Sequence, residues 1–458
     1  MKGFVIAGPA SGVGKTTVTA ALIAALKRRG LRVQAFKCGP DFIDPGHHAR
    51  VSGRLSHNLD TWMLPAEVNQ RIFTSACRDA DIAVVEGMMG LFDGVRGTSE
   101  QGSSAEISKL LGLPVVLVVD ASSAARSVAA LVHGFQSFDP QIRIAGIILN
   151  RVANATHAQM LIEALKEHDK KLVVGWLPNE EQIKLKERYL GLQTAQERSW
   201  SGDQIELLAS LVEQNVPLDE LLAACAIQLP ASSSWPATAI KEPVRIGIAR
   251  DRAFCFYYEA GLDELRRRGA ELVEFSPLES SHLPANVDAL YFGGGYPEFY
   301  AEVLSNNPGL LSGLREFAAA GKLIYGECGG LIFLSRELIT REGSRWPMAG
   351  LLPLSIEMTD RLVHFGYVDV HFEKDSVAPE GIRLRGHSFH CSRITGDESV
   401  DKKTTVHYSL SGEKQREGFA VGNTFGSYIH LHFAGHPVFA DHFVSLARPA
   451  RRQQEVSK

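Results

Sequence analysis

The sequence predicts an α/β protein with two domains, the first built around a doubly wound, mostly parallel sheet and the second a further α/β domain. Short apolar runs alternate with amphipathic helical stretches through residues 1–226, which is typical of a doubly wound sheet. Residues 227–243 are rich in Ser, Pro and Ala and show no periodicity, which predicts an exposed linker. The alternation starts again at Val244 and continues through a second predicted domain, residues 244–450.

The composition is that of an ordinary globular protein. The 458 residues are 45% hydrophobic and 22% charged, with a formal net charge of −4. This small charge argues against a nucleic-acid partner and against a membrane surface. No apolar run reaches the ~18 residues that span a bilayer, the start does not resemble a signal peptide, and the six cysteines form no CxxC pair. We therefore expect a cytoplasmic protein with reduced thiols.

A glycine-rich loop follows the first predicted strand, residues 4–7, and precedes an amphipathic helix that ends at Gly30. Strand, glycine loop and helix form the context of a phosphate-binding loop, in which backbone amides and a helix N-terminus face phosphate oxygens. Pro9 stands where the strict pattern has its first glycine, so this is a longer variant of the loop. The residues predicted to bind the nucleotide are Gly12, Val13, Gly14, Lys15, Thr16 and Thr17.

Four polar residues have predicted roles in binding ATP and its metal ion. Lys15 is expected to reach the terminal phosphates, and the Thr16 hydroxyl is expected to bind Mg²⁺. Glu86 directly follows a buried strand, so its carboxylate is placed to hold the same ion through oxygen. Asn150 ends a later strand, where its side-chain amide is expected to read the adenine edge.

Further carboxylates follow the strands beside this loop. Asp41 and Asp44 lie in a Gly/Pro-rich segment, and Asp93 lies in the glycine-rich loop after Glu86. Because open α/β sheets bind ligands at the carboxyl ends of their strands, we expect these four acids to share one crevice. Asp41 and Asp44 are predicted to contact the substrate from the rim of this crevice, and Asp93 is predicted to contact the substrate or the metal ion. A turn held by Asx-type hydrogen bonds, or solvated loop carboxylates, are the alternatives.

The second predicted domain contains a nucleophile elbow at Cys328. An apolar strand, a Gly-x-Cys-x-Gly corner and a second apolar run surround this residue. Glycines flank the corner because a sharp turn leaves no room for a Cβ atom on either side. The helix N-terminus behind Cys328 is expected to favour the thiolate, which is the nucleophilic form. A small buried cysteine in a strand–helix turn is the alternative.

An oxyanion hole and a base are predicted in the same domain. Three consecutive glycines follow residues 289–292, and Gly294 and Gly295 are expected to present backbone amides to the substrate. A histidine pair, His430 and His432, stands near the end of the chain. A cysteine, a later histidine and a glycine loop form a nucleophile–base–oxyanion set, although spacing does not decide which histidine is the base.

Together and in this order, the motifs resemble those of the cobyrinic acid a,c-diamide synthase family. Its members act in cobalamin biosynthesis and join an ATP-dependent amide synthetase to a class I-like glutamine amidotransferase. The N-terminal loop is similar to that of the dethiobiotin synthetase group. Besides the elbow at Cys328, the segments that carry the resemblance are residues 12–17, 37–44, 86–94, 293–298, 385–390 and 427–433.

The resemblance implies a division of labour between the two domains. Residues 1–226 are then the synthetase, which uses ATP and Mg²⁺ to activate the a and c acetate groups of cobyrinic acid. Residues 244–450 are the amidotransferase, which releases ammonia from glutamine. His430 is the preferred base, since residues 426–430 resemble the Gly-Thr-Tyr-x-His pattern of cobyric acid synthase. Many amidotransferases carry Glu two residues later, where this chain has His432. The third member of the triad therefore stays open, and a Cys328–His430 dyad is the alternative.

Two kinds of alternative remain at this stage. Related enzymes of the same architecture act on hydrogenobyrinic acid or Ni-sirohydrochlorin, and motif spacing does not separate these rings. An alternative of a different class is a non-catalytic P-loop ATPase that acts as a regulator or scaffold. Intact Cys328, His430 and Lys15 argue against it. A homodimer is compatible with the sequence.

Overall fold

The protein divides into two compact units, Met1–Trp235 and Pro236–Lys458. The computed structural model describes residues 1–183, 187–188, 191–192, 194–195, 197, 199–231, 235, 243–396 and 400–448. Parts of the predicted linker and of the predicted second domain lie outside the described residues, namely 232–234, 236–242, 397–399 and 449–450. Each unit is described separately below.

The N-terminal unit alternates strands and helices. Its elements are β1 (Lys2–Ala7), α1 (Lys15–Arg28), β2 (Val33–Cys38), α2 (Asp44–Ser52), β3 (His57–Leu59), α3 (Ala66–Ala76), β4 (Ile82–Glu86), α4 (Ser104–Leu111), β5 (Val115–Asp120), α5 (Ser127–Phe138), β6 (Ile144–Val152), α6 (Ala155–His168), β7 (Val173–Pro178), β8 (Glu187–Arg188), β9 (Gly191–Leu192), α7 (Gly202–Asn215) and α8 (Leu218–Ala224). A 3₁₀ turn covers Glu181–Ile183.

Strands β1 to β7 form one parallel sheet in the order β3-β2-β4-β1-β5-β6-β7. The apolar face of α1 packs on this sheet together with α7, and Leu22, Ile23 and Leu208 are fully buried there. This strand order brings the carboxyl ends of β1, β2 and β4 side by side, which is the edge where such sheets bind ligands. The predicted doubly wound sheet is confirmed.

The C-terminal unit begins with strand–helix alternation and continues with a run of strands. Its elements are β10 (Val244–Ala249), α9 (Glu259–Arg267), β11 (Ala270–Phe275), β12 (Ala289–Phe292), α10 (Ala301–Ser305), α11 (Pro308–Ala319), β13 (Leu323–Glu327), α12 (Gly329–Leu334), β14 (Ser335–Ile339), β15 (Arg345–Pro347), β16 (Leu352–Met358), β17 (His364–Phe372), β18 (Arg383–His390), β19 (Ser392–Thr395), β20 (Asp401–Tyr408), β21 (Lys414–Val421), β22 (Thr424–Ser427), β23 (His430–Leu431) and α13 (Pro437–Leu446). The 3₁₀ turns are Pro297–Tyr300 and Phe433–Gly435.

The main sheet of this unit has the order β11-β10-β12-β13-β22-β21-β20-β17-β18-β23 in the described residues. The part from β11 to β22 is parallel, and the remaining neighbours are antiparallel. A smaller sheet has the order β15-β14-β16-β19. Because β13 lies next to β22, the Cys328 amide donates a 2.7 Å hydrogen bond to the Ser427 carbonyl, which joins the end of β13 to the segment before β23. No described helix is long and apolar enough to cross a membrane.

Candidate active sites

The phosphate-binding loop connects β1 to α1 and is held by side chains from two other segments. Gly14 has a φ of +92°, and a Cβ atom there would lie 2.1 Å from Asn150 Nδ2, so the position requires glycine. Asn150 Nδ2 donates to the Val13 carbonyl at 2.9 Å. The side chain that was expected to read adenine therefore supports the loop backbone from β6. Gly12 also has positive φ, at 80°.

Lys15 begins α1 and folds over the loop. Its ammonium donates to the Ala10 carbonyl at 2.9 Å and to the Met89 carbonyl at 2.6 Å. Burial, followed by the nearby charge of Lys37, lowers the pKa of Lys15 to about 8. Thr16 and Thr17 follow in the first turn of the helix and are half-buried. The loop and the first turn of α1 thus present the cation and hydroxyl groups that phosphate recognition needs.

The Thr16 hydroxyl faces carboxylates from two neighbouring segments. Its Oγ1 donates to Glu86 Oε1 at 2.8 Å and lies 3.4 Å from Asp44 Oδ2. Glu86 is the last residue of β4, and Asp44 is the first residue of α2. The structure therefore brings together three of the residues singled out by sequence, and all three contribute oxygen atoms.

Lys37 lies between these carboxylates and was not identified from the sequence as a site residue. Its ammonium lies 2.5 Å from Asp44 Oδ2, 3.0 Å from Glu86 Oε1 and 4.0 Å from Asp41 Oδ2. The residue is only 3% exposed. Burial alone would lower the pKa of Lys37, but Asp44 and Glu86 outweigh burial and raise it well above its ordinary value. A permanent positive charge therefore lies beneath the phosphate loop.

Glu86 has a second basic neighbour in His48, which the sequence also did not reveal as a site residue. His48 Nε2 lies 2.6 Å from Glu86 Oε2, and both side chains are fully buried. Burial would raise the pKa of Glu86, but Lys37 and the His48 contact outweigh burial and hold it below the ordinary range. Two signals were present in the sequence: Lys37 stands at the carboxyl end of a strand, and His48 follows Asp44 by one helical turn.

The structure corrects the expectation that Asp44 lies at an open rim. Asp44 starts α2 and is 6% exposed, and its carboxylate packs against the Lys37 ammonium and the Thr16 hydroxyl. Asp41 Oδ1 instead accepts the amides of Ile43 and Asp44 at 2.8 and 3.0 Å, as the Asx-turn alternative predicts. Asp93 is exposed, and its Oδ2 accepts the Gly90 amide at 2.7 Å.

The donor set at Thr16 and Glu86 suits a hard cation. Within the part of the chain that the structure describes, no group of three or more His, Cys, Asp or Glu side chains is arranged to hold a metal ion. Mg²⁺ bound together with ATP needs only one or two protein oxygens, because phosphates and water complete its octahedron. The Thr16 hydroxyl and the Glu86 carboxylate, 2.8 Å apart, fit that requirement.

The second site is built around Cys328, at the sharp turn between β13 and α12. Its φ of +47° and ψ of −99° are strained for a residue with a side chain. A Cβ atom on Gly330 would lie 2.1 Å from the Phe292 carbonyl oxygen, and one on Gly326 would lie 2.8 Å from the Gly330 carbonyl carbon. The flanking glycines are therefore required by close backbone approaches, as the sequence pattern predicts for a nucleophile elbow.

The protonation state expected for Cys328 is corrected by its surroundings. The side chain is buried, and burial followed by the charge of Glu298 raises its pKa to about 12, although a hydrogen bond from the Gly329 amide works in the opposite direction. The free enzyme thus holds a thiol at neutral pH, because loss of hydration outweighs the dipole of the short helix α12, which has six residues.

A glycine loop faces the elbow. A Cβ atom on Gly329 would lie 2.9 Å from the Gly295 nitrogen, so the backbone of Gly295 passes directly across the turn. The Gly293 amide donates to Tyr257 Oη at 2.8 Å, and Tyr257 in turn donates to the Ala249 carbonyl. This chain of contacts fixes the loop that the sequence predicts to bind the substrate.

Two histidines and a glutamate surround the opposite side of the glycine loop. A Cβ atom on Gly294 would lie 2.4 Å from His430 Cε1, and the rings of His430 and His387 stack with centroids 4.8 Å apart. His430 Nδ1 lies 3.6 Å from Oε2 of Glu327, the residue directly before Cys328. His432 takes a different position, because its Nδ1 accepts the Ala434 amide at 3.1 Å. Cys328 and His430 thus approach the same loop.

Two family models match most of this chain between them. The CobQ/CobB/MinD/ParA nucleotide binding domain matches residues 4–191, and the CobB/CobQ-like glutamine amidotransferase domain matches residues 245–438. The first match lies within the N-terminal unit and the second within the C-terminal unit.

The chain is also similar over nearly its full length to curated proteins named cobyrinate a,c-diamide synthase. The protein of Syntrophotalea carbinolica is 43% identical over 451 residues, which cover 97% of this chain and 98% of the relative. That of Leptospira interrogans is 41% identical over 447 residues, 96% of this chain and 97% of the relative. That of Salmonella typhimurium is 39% identical over 450 residues, which cover 97% of this chain and 98% of the relative.

Proposed function

This chain belongs to the cobyrinate a,c-diamide synthase family, and on that premise we propose that it uses ATP and glutamine to amidate the a and c acetate groups of cobyrinic acid. It is a glutamine-dependent amide-forming ligase of cobalamin biosynthesis. The observation that carries this conclusion is the 43% identity over 97% of the chain, which includes both sites. We assign residues 1–226 to the synthetase, 227–243 to the linker and 244–450 to the amidotransferase.

The synthetase site makes the carboxylate reactive. A carboxylate is a poor electrophile, because amide formation would have to expel oxide. In the proposed reaction its oxygen bonds to the γ-phosphorus of ATP, the bond to the bridging oxygen breaks and ADP leaves. Ammonia then attacks the carbonyl carbon, and the oxygen departs with phosphate. Lys15 supports phosphoryl transfer by neutralising charge on the phosphates.

Mg²⁺ is a proposed cofactor, held by Thr16 and Glu86 together with phosphate oxygens. The ion supplies charge neutralisation at the β- and γ-phosphates. The 2.8 Å approach of Thr16 Oγ1 to Glu86 Oε1 and the depressed pKa of Glu86 support this assignment, since the carboxylate is ionised at every working pH. Gly12, Val13, Gly14 and Thr17 would complete the nucleotide site, with Asn150 holding the loop.

Two of the remaining acids, Asp41 and Asp93, are proposed to contact the substrate, and Asp44 has a different proposed role. Asp93 is exposed on a loop whose Leu91 amide donates to the Gly8 carbonyl at 2.8 Å, so it lies beside the phosphate loop. Asp41 is partly exposed next to Lys37. Asp44 is buried against the same ammonium at 2.5 Å, so we propose that it acts by holding Lys37 in place.

The amidotransferase site is proposed to release ammonia from glutamine. Cys328 Sγ attacks the side-chain amide carbon, and His430 takes the thiol proton and passes it to the departing ammonia. Gly295 and Gly329 amides, with Gly294 beside the base, would stabilise the oxyanion of the tetrahedral intermediate. His430 then activates water against the thioester. The close approach of Gly294 to His430 and of Gly295 to Gly329 supports this arrangement.

The wider setting of the reaction is proposed from its substrates. ATP and glutamine are cytoplasmic metabolites, so we propose a cytoplasmic enzyme with no nucleic-acid or membrane partner. A homodimer is the assembly we propose to test, by light scattering coupled to size-exclusion chromatography. A single mass of about 50 kDa, equal to one chain at 50.0 kDa, would exclude the dimer.

A mass-spectrometric assay tests the proposed function. The protein is incubated with ATP, Mg²⁺, glutamine and cobyrinic acid, and parallel reactions contain hydrogenobyrinic acid or Ni-sirohydrochlorin. We expect two successive amidations of cobyrinic acid and release of glutamate and ADP. Faster amidation of another ring would move the substrate assignment to that ring. No glutamate release with any ring would favour a non-catalytic ATPase instead.

A further inference from the structure

Glu327 lies at the centre of the amidotransferase site and has no role in the mechanism above. It ends β13 directly before Cys328, and its side chain is 2% exposed. Its Oε1 accepts hydrogen bonds from Tyr325 Oη and, at 3.2 Å, from the Leu431 amide. Its Oε2 accepts one from Tyr291 Oη at 2.8 Å. Donors on β12, β13 and β23 therefore hold this carboxylate in one orientation.

The same carboxylate faces the ring of His430. Oε2 lies 3.6 Å from Nδ1, whereas a Cβ atom on Gly294 would lie 3.2 Å from Nε2. The Nδ1 edge of the ring is therefore turned toward Glu327, and the Nε2 edge borders the glycine loop. A separation of 3.6 Å exceeds that of a hydrogen bond, but contacts between catalytic groups commonly tighten when the substrate binds.

His432 does not serve as the third member of the site. This residue occupies the position where many amidotransferases carry a glutamate. Its Nδ1 accepts the Ala434 amide at 3.1 Å, and its ring stacks on Tyr258 with centroids 4.7 Å apart. The side chain therefore caps the 3₁₀ turn Phe433–Gly435, and an acid that assists His430 would come from another part of the fold.

We propose that Glu327 is a positioning residue that orients His430 and stabilises its protonated form during glutamine hydrolysis. The inference rests on the proposed roles of Cys328 and His430. As the Sγ–H bond breaks, the proton moves to Nε2 and the sulfur bonds to the amide carbon of glutamine. The proton later leaves with ammonia. The positive charge that develops on the ring lies beside the Glu327 carboxylate, in an interior where opposite charges attract strongly.

Three titratable side chains that contact His430 or Glu327 supply no negative charge, namely His387, Tyr291 and Tyr325. Burial, with His430 as the next contribution, holds the pKa of His387 well below its ordinary value, so its ring is neutral. Burial, followed by the charge of Glu327, raises the pKa values of Tyr291 and Tyr325 well above theirs, so both hydroxyls remain donors. Among the described residues in contact with the His430 ring, Glu327 is the one that carries a carboxylate.

Glu327→Gln tests the proposal because it removes the charge and keeps the size of the side chain. We expect the kcat of glutamine hydrolysis to fall by roughly 10²–10³-fold, since a misoriented base loses most of its effect. The KM for glutamine should change by less than about threefold, because Glu327 acts through His430 and does not contact the substrate. Ammonia-dependent synthesis should stay normal. Wild-type kcat in a folded Glu327→Gln protein would overturn the proposal.

A double substitution separates positioning from a general structural effect. In a His430→Ala background, the additional change Glu327→Gln should lower the residual glutaminase rate by less than about threefold, since the group it acts through is already gone. A further loss as large as that seen in the wild-type background would assign Glu327 a purely structural role and overturn the proposal.

Two more variants control for folding. Glu417→Gln also removes a buried carboxylate of the same unit, one that accepts Ser427 Oγ and the Tyr428 amide, and it should keep kcat within about threefold. Glu327→Asp keeps the charge, but its side chain is one methylene shorter, so the carboxylate lies farther from His430. We expect a kcat at least roughly tenfold below wild type. If Glu327→Gln does not fold, a wild-type kcat for Glu327→Asp still overturns the proposal.

Cys328→Ala distinguishes failure of this inference from failure of the proposed function. If wild type hydrolyses glutamine and Cys328→Ala does not, the nucleophile is correctly assigned, and normal turnover by Glu327→Gln counts against Glu327 alone. If Cys328→Ala still hydrolyses glutamine, both the nucleophile assignment and the role of Glu327 are wrong.

Discussion

Lys37 and Asp44 form a buried ion pair, with the ammonium nitrogen 2.5 Å from a carboxylate oxygen, at the carboxyl end of β2. Glu86 lies on the other side of the same nitrogen at 3.0 Å. Two acids close to each other beneath a phosphate loop would repel each other and the phosphates. The positive charge of Lys37 lies between the two acids and offsets this repulsion.

Replacing Lys37 with Met should destabilise the N-terminal unit. Breaking a buried ion pair from one side costs about 3–5 kcal/mol, because the carboxylates stay buried without their partner. A loss of this size corresponds to roughly 10 °C in the melting temperature of a unit this large. The measurement is thermal unfolding by circular dichroism. Lys37→Met combined with Asp44→Asn should recover part of the loss, and an unchanged melting temperature in the single variant would contradict the prediction.

Lys15→Ala should abolish synthesis with either nitrogen source. Activation of the carboxylate precedes attack by ammonia, so loss of the phosphate-binding charge lowers glutamine-dependent and ammonia-dependent rates alike, by roughly 10²-fold or more. Both rates are measured as ADP release in the presence of cobyrinic acid. Lys27→Ala, in the last turn of the same helix, is the matched control and should be nearly normal. Normal ammonia-dependent turnover by Lys15→Ala would contradict the assignment of this loop as the ATP-binding loop.

Glu86→Gln should raise the concentration of Mg²⁺ needed for half-maximal synthesis. The substitution takes away the charged oxygen 2.8 Å from Thr16 Oγ1, and loss of such a contact commonly weakens metal affinity by roughly tenfold or more. The experiment is a Mg²⁺ titration of the ammonia-dependent rate at saturating ATP. Asp79→Asn, an exposed acid paired with Arg54, serves as the control. Superimposable titrations for wild type and Glu86→Gln would rule out the metal role.

Cys328→Ala should abolish glutamine-dependent synthesis and leave ammonia-dependent synthesis intact. The nucleophile lies in the C-terminal unit, whereas the phosphate loop lies in the N-terminal unit, so each activity has its own site. The two rates are compared at saturating ATP and cobyrinic acid, with free ammonia supplied at alkaline pH. Cys391→Ala, another buried cysteine of the same unit, is the control. A folded Cys328→Ala protein without either activity would refute the division into two sites.

Alkylation of Cys328 in the free enzyme should be slow and should rise steadily with pH. Burial raises the pKa of this thiol to about 12, so the thiolate fraction increases about tenfold per pH unit through pH 9 without levelling off. The test is the rate of iodoacetamide modification between pH 6 and pH 9, followed at Cys328 by peptide mass spectrometry, with the half-buried Cys255 mapped separately. A plateau below about pH 9 would mean that the thiolate is stabilised in the free enzyme.

Features that depend on consecutive residues were predictable from the sequence. The alternation of strands and helices predicted the parallel sheet of the N-terminal unit and the α/β character of the C-terminal unit, because it reports which faces each segment buries. It did not predict the antiparallel strands that continue the C-terminal sheet beyond β22. The glycine loop before Lys15 and the Gly-x-Cys-x-Gly corner at Cys328 predicted strand–turn–helix geometry. In both cases the steric demand of a sharp turn acts on neighbouring residues and therefore appears in the local pattern.

The burial of a predicted site residue could not be deduced from the sequence. Asp44 was expected at an open rim and is buried, and Cys328 was expected as a thiolate and is a buried thiol. Both corrections have one physical cause, the loss of hydration on burial. The amount of burial depends on what packs over a residue from elsewhere in the chain, and no local pattern reports it.

The sequence by itself determined the two-unit α/β organisation, the phosphate loop and the nucleophile. Only the tertiary structure decided which distant side chains complete each site. Lys37 meets Glu86 because β2 lies beside β4, and Glu327 meets His430 because the segment after β22 returns to the end of β13. Contacts between such distant side chains depend on strand order and register. Both arise from packing across the whole sheet and are not encoded in the spacing of any one motif.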